Sequence, residues 1–177
     1  MNGSARVFFA LWPGPGTLST LVHESKRLQA LYGGRPTCPA TMHLTLVFIG
    51  AVPRSRLIEL LDLARGFSAE PFDIDFDQAG CWRHNKVAWV APTRVPEKLG
   101  ALVSRLELAL TEHGIDFDRR DYRPHVTLAR KADCHAVPPA EVTCAISWPA
   151  REFLLVESRL CETGADYAVL GRFPLAG

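Results

Sequence analysis

The chain has 177 residues, 47% hydrophobic and 22% charged, a size that suits one globular domain with room for two small lobes around a shared core. Its net charge is only +1. That excludes the basic excess of a protein that coats long nucleic acid, so any nucleic-acid contact is expected to be local, at an end or a single nucleotide.

The five cysteines, Cys38, Cys81, Cys134, Cys144 and Cys161, are odd in number and include no Cys-x-x-Cys pair. This disfavours a disulfide framework and a zinc knuckle and points to a reducing cytoplasm. The N-terminal run Arg6 to Trp12 alternates like a strand and is too short for a signal-peptide core, and no apolar stretch reaches transmembrane length. A soluble, cytoplasmic protein without a membrane partner is expected.

In chain order, the first predicted strand, Val7 to Trp12, ends at the breaker Pro13-Gly14-Pro15-Gly16. Leu18, Leu21, Val22, Ser25 and Leu28 then fall at helical spacing and predict a helix over 17–31, stopped by Gly33-Gly34. A strand from His43 to Ile49 follows, then a second helix over 54–65 closed by Gly66. The alternation of Phe72-Asp73-Ile74-Asp75-Phe76-Asp77 marks a strand with one buried and one wet face. Its aspartates do not make a calcium loop, because Gln78 stands where glycine is needed and His84 where glutamate is. A turn at Arg83-His84-Asn85 leads to a strand over 87–91, and the longest helix, 96–113, carries the stripe Leu99, Leu102, Val103, Leu106 and Leu110. A strand over 125–129 and three late strands, 142–147, 152–159 and 167–173, complete the reading.

Two of these strands open with the same pattern, His43-Leu44-Thr45-Leu46 and His125-Val126-Thr127-Leu128. Alternation along a strand puts His and Thr of each copy on one face and the aliphatic pair on the other. Strand, helix and His-x-Thr strand occur twice in that order, with Val7 36 residues before His43 and Trp89 36 before His125. The repeat predicts two lobes related by an approximate two-fold axis, with the motifs facing each other across a cleft.

Two imidazoles so placed can hold one neutral and one protonated ring near neutral pH, a base for an entering water or hydroxyl and an acid for a departing oxygen. Opposed placement suits in-line displacement at phosphorus, and Thr45 and Thr127 can donate to the non-bridging oxygens. No carboxylate or further histidine sits at chelating spacing beside either motif, so neither metal nor cofactor is expected. Arg130 is a candidate phosphate partner, but its odd spacing from His125 turns it away unless the strand ends or bulges near Ala129. No arginine holds the matching place after His43, where Phe48 and Ile49 continue the apolar run, so the second half of the site should be the more cationic. Phe9 and Trp12 are candidates to stack a base.

These residues resemble the two-histidine phosphoesterases, and within them the bacterial RNA 2′,3′-cyclic phosphodiesterases, also described as 2′-5′ RNA ligases. The resemblance spans nearly the whole chain. It rests on Arg6-Val7-Phe8-Phe9-Ala10-Leu11, on Met42 to Leu46, on Arg123 to Arg130, and on Phe153 to Ser158 with Gly164 and Tyr167. It implies a bilobal α+β fold of mainly antiparallel sheet with outer helices, one domain over residues 1–177 made of two intertwined lobes, with the active site in the central cleft. It also implies opening of a terminal ribose 2′,3′-cyclic phosphate to a 2′-phosphate, with His43 as proton donor to the departing 3′-oxygen and His125 as the base that activates water. The two motifs are nearly symmetric, so the residues alone leave the roles exchangeable. Expected partners are RNA 3′ ends bearing the cyclic phosphate, including tRNA fragments or nucleotides, acted on by a monomer. The same residues would also serve a 2′-5′-phosphodiesterase acting on oligoadenylates or another cyclic nucleotide, or a binding module for RNA ends that turns nothing over.

Overall fold

The computed structural model describes residues 3–135, 143–161 and 164–176. Among the described residues nine strands and three α-helices follow in the order β1 (Ser4–Leu11), α1 (Pro15–Tyr32), β2 (Arg35–Pro36), β3 (Leu44–Pro53), α2 (Leu57–Arg65), β4 (Phe72–Trp82), β5 (Val87–Ala91), α3 (Glu97–Glu112), β6 (Val126–Arg130), β7 (Thr143–Ala150), β8 (Glu152–Cys161) and β9 (Gly164–Pro174). The strands run in the order β7-β4-β5-β6-β3-β1-β8-β9, with β2 paired to β6, and every pairing is antiparallel. This is the expected α+β class.

The order splits into two four-stranded halves that meet at the motif strands. β3 and β6 share a single paired position, Leu44 with Val126, and diverge beyond it. The helices are exchanged between halves. α1 follows β1 yet packs on β6 and β7, whereas α3 follows β5 and packs on β3, with α2 against β9. The core lies between these helices and one face of the sheet, with Val7, Phe9, Leu21, Leu28, Leu102 and Leu106 fully or almost fully buried, each contributing roughly 1.5–3 kcal/mol.

Boundaries differ from the sequence reading at a few places. The second helix begins as a 3-10 turn over Arg54–Arg56 and becomes α-helical at Leu57. β3 continues past Gly50, whose φ of 87° takes the chain on to Pro53. β4 runs five residues beyond Asp77, as far as Trp82, and the two-residue β2 has no periodicity by which it could be read. Residue 142, the predicted start of one late strand, lies outside the described residues. The repeat is right in element order but three residues out in register: Ala10 pairs with Thr45 and Trp89 with Thr127, so the counterpart of Trp89 is Ala10, not Val7.

The cysteine reading is corrected as well. Cys81 and Cys134 form a disulfide across 53 residues of sequence, because the β4-β5-β6 pairing brings the end of β4 beside the loop that follows β6. Cys38 and Cys144 are free thiols.

Candidate active site

Each motif histidine sits one residue ahead of its strand, where the backbone carbonyl two residues earlier is within reach of its ring. His43 Nδ1 lies 2.7 Å from the Thr41 carbonyl, and His125 Nδ1 lies 2.8 Å from the Arg123 carbonyl. A carbonyl only accepts, so each Nδ1 carries the proton and each Nε2 is left as the reactive nitrogen. His43 Nε2 lies 3.2 Å from Thr45 Oγ1.

The Leu44–Val126 pair fixes the rest of the arrangement. In an antiparallel ladder it sets Thr45 opposite His125 and His43 opposite Thr127, so all four side chains share one face of the sheet. That face opens into a cleft of about 720 Å³ lined by His43, Thr45, His125, Thr127 and Arg130, with Phe8 and Phe48 beside them. A slightly larger surface groove of about 750 Å³ lies between α2 and α3 and contains none of these groups.

Arg130 reaches the cleft because β6 bulges. Ala88 pairs with Ala129 and Trp89 with Thr127, so Leu128 is extra and the parity of the strand changes after it. The Leu128 carbonyl, released from the ladder, accepts the Ser25 hydroxyl at 2.8 Å and the Thr37 N–H at 2.8 Å. β3 bulges at the equivalent Leu46, between the Phe9–Val47 and Ala10–Thr45 pairs, and Phe48 turns into the cleft.

The two rings have different surroundings. His43 is stacked by Trp12, with ring centroids 5.3 Å apart and planes 9° apart, and it meets Tyr167 edge-on and Phe8 at 5.0 Å. His125 meets Trp82 edge-on at 4.6 Å. Trp82 rests on Trp89, which lies against Gly80 so closely that a Cβ there would stand 2.7 Å from the indole. Burial pushes the His43 imidazole down to about 4; the Thr41 carbonyl opposes this, and the nearby His125 and Arg130 reinforce it. Burial also lowers His125, opposed by the Arg123 carbonyl and aided by Arg130. Charging an imidazole in these surroundings is unfavourable until an anion arrives.

Phe9 is not a stacking residue. Alternation along β1 sends Val7, Phe9 and Leu11 into the core and Phe8 and Ala10 to the cleft side. Phe9 is 0% exposed, with its ring against Phe153. The Trp12 indole is stacked on the His43 ring. Arg6, Arg35, Lys131 and Tyr167 also line the cleft. They escaped the sequence reading: Arg6 and Tyr167 lie on strands whose facing depends on pairing partners, and Arg35 lies on a strand too short to announce itself.

A family model described as the 2′-5′ RNA ligase superfamily matches residues 18–166, which include both motifs. The chain belongs to this superfamily. An RNA 2′,3′-cyclic phosphodiesterase of Thermus thermophilus is 32% identical over 97% of this chain and 91% of its own length. The Escherichia coli protein of the same name is 28% identical over 99% of both chains. The crystal structure of E. coli LigT complexed with 3′-AMP superposes with a TM-score of 0.86 at 27% identity, covering 98% of this chain and 99% of that one. The two proteins therefore share one overall fold. No helix among the described residues is long and apolar enough to cross a membrane.

Proposed function

We propose that the protein is an RNA 2′,3′-cyclic phosphodiesterase that hydrolyses a terminal cyclic phosphate to a 2′-phosphate by two-histidine acid–base catalysis. The observation that carries this reading is the pairing of the motifs across Leu44 and Val126, each histidine held through Nδ1 and offering Nε2 to one cleft. The names of the T. thermophilus and E. coli relatives support the substrate class.

In this mechanism His125 Nε2 accepts a proton from water as its oxygen attacks phosphorus, and the bond from phosphorus to the ribose 3′-oxygen breaks. His43 Nε2, protonated in the complex, gives its proton to that departing oxygen. The 2′-oxygen keeps the phosphate. Thr45 and Thr127 donate to the non-bridging oxygens, and Arg130 balances the charge that builds there. In the free enzyme both rings favour the neutral form, so the anionic substrate itself draws in the proton that the acid needs. In the same forward step, with an RNA 5′-hydroxyl entering in place of water and the 3′-oxygen again departing, these groups would form a 2′-5′ bond.

No group of three His, Cys, Asp or Glu side chains suited to a metal occurs among the described residues. The enzyme is read as a monomer of one domain with two intertwined lobes; the Cys81–Cys134 bond removes the cysteine argument for a reducing cytoplasm. Incubation with a short RNA ending in a 2′,3′-cyclic phosphate, in EDTA, tests the reading: turnover is expected to persist, and its abolition by EDTA with recovery on adding a metal would overturn it.

A further inference from the structure

Beyond the four motif residues and Arg130, the second half of the cleft carries a cluster of charge, whereas the first half carries the single Arg6, which lies over the Phe48 ring. Arg35 of β2 is paired directly with Arg130 of β6, and Lys131 follows. Like charges directly opposite on paired strands repel. Among the described residues the ion pairs of the protein engage other cations, and Arg35, Arg130 and Lys131 all line the cleft, in which no carboxylate takes part. The chain as a whole carries a net charge of only +1, so this concentration is local.

The backbone is shaped to hold the cluster. β3 leaves the edge of β6 after a single pair, and β2 takes its place along the end of β6. That approach needs Gly34, at φ 82°: a Cβ there would stand 2.6 Å from the Arg130 carbonyl and 2.9 Å from the Ala132 nitrogen. Lys131 adopts φ 57°, a left-handed conformation uncommon outside glycine, asparagine and aspartate. Such conformations persist where the surrounding structure enforces them, and they gather at binding sites.

We infer that Arg35 and Lys131 form a second phosphate subsite, taking the phosphate on the 5′-oxygen of the same ribose that bears the cyclic phosphate. This inference rests on the proposed function. With the cyclic phosphate at the histidines, the 5′-oxygen is the one place on that nucleotide where another phosphate can sit. It occurs as the internucleotide diester of an RNA chain or as a terminal 5′-phosphate, and both present the same anion to two cations. The preferred substrate is accordingly a nucleotide with a 5′-phosphate, not a bare nucleoside 2′,3′-cyclic phosphate.

The test compares kcat/KM for adenosine 2′,3′-cyclic phosphate, its 5′-phosphorylated form and the dinucleotide ApA ending in the cyclic phosphate. Binding of adenosine 2′,5′-bisphosphate and adenosine 2′-monophosphate is measured in parallel by calorimetry. The wild type is expected to favour the 5′-phosphorylated ligands by about tenfold or more in both readouts, as charge-assisted contacts of this kind allow. In the Arg35→Ala, Lys131→Gly double variant that ratio falls toward one, and glycine at 131 relieves the backbone instead of straining it. The exposed Arg94, outside the cleft lining, controls for loss of charge, and Arg94→Ala keeps the ratio. A larger gain for the dinucleotide identifies the internucleotide diester, and equal gains identify any 5′-phosphate. A bisphosphate advantage without turnover would sustain the subsite while the proposed function fails. Equal affinity for mono- and bisphosphate in the wild type, or an unchanged ratio in the double variant, would overturn the subsite.

Discussion

Phe48 and Arg130 occupy equivalent places in the two halves, each five residues after a motif histidine and each turned into the cleft by a bulge at the leucine three residues after it. One backbone device thus delivers an aromatic ring on one side and a guanidinium on the other. On the first side Arg6 lies over the Phe48 ring, 4.7 Å from its centroid, and Phe8, Trp12 and Tyr167 complete an apolar wall. Substrate charge is therefore expected to lean toward Arg130. Arg130→Ala should raise KM and lower kcat, and Arg130→Lys should rescue it only in part, because an ammonium lacks the planar fork that matches a phosphate. Phe48→Leu should be far milder. Steady-state kinetics on a cyclic-phosphate RNA end separate the three variants.

Replacing either histidine should cost about 10²–10⁴-fold in kcat, the usual worth of a positioned proton-transfer group. The double variant His43→Ala, His125→Ala should be little worse than the more damaged single variant, since acid and base act in one step. Thermal melting checks that the folds survive.

Both imidazoles lie below their ordinary value of 6.5, His43 at about 4, so the singly protonated pair in the free enzyme is most abundant on the acid side of 6.5. kcat/KM, which reports the free enzyme, should peak there and fall as pH rises and the last proton leaves. kcat should peak at higher pH, because the bound anion favours the charged ring. Stability follows the same sign. Between 6.5 and about 4 the unfolded chain binds a proton that native His43 refuses, so the contribution of the neutral ring is complete above 6.5 and is lost as pH falls toward 4. His43→Gln should flatten that part of a stability profile measured by denaturant titration across pH.

Ser25 lies on α1, outside the cleft lining, yet its hydroxyl holds the Leu128 carbonyl at the bulge that aims Arg130. Ser25→Ala should leave the melting temperature within a few degrees, as expected for the loss of about 1 kcal/mol of hydrogen bonding. KM should rise while the pH profile stays unchanged. A shifted pH profile would mean that the histidines moved as well.

Gly80 keeps Trp89 flat against β4 and so seats Trp82 beside His125. Gly80→Ala forces the indole away. Turnover should fall through His125, and tryptophan fluorescence should report the displaced ring.

Much of this was legible in the sequence because the two motifs and the helical stripes depend on local spacing alone. His43, Thr45, His125 and Thr127 share a face by simple alternation, and the strand–helix–strand order appears twice. Arg130 was legible only as a condition, a bulge near Ala129, since a bulge depends on what pairs with the strand. The same ignorance of pairing put Phe9 in the cleft in place of Phe8, and set Val7 against Trp89 where Ala10 belongs. The Cys81–Cys134 bond and the Arg35–Arg130 pair join segments distant in the chain, and no local pattern signals either.

Product analysis on an RNA ending in a 2′,3′-cyclic phosphate tests the central claim most directly. The account predicts a product that keeps its phosphate on the 2′-oxygen alone, formed in EDTA by the wild type and reduced by orders of magnitude in both His43→Ala and His125→Ala. A 3′-phosphate product, or wild-type rates in either histidine variant, would contradict it.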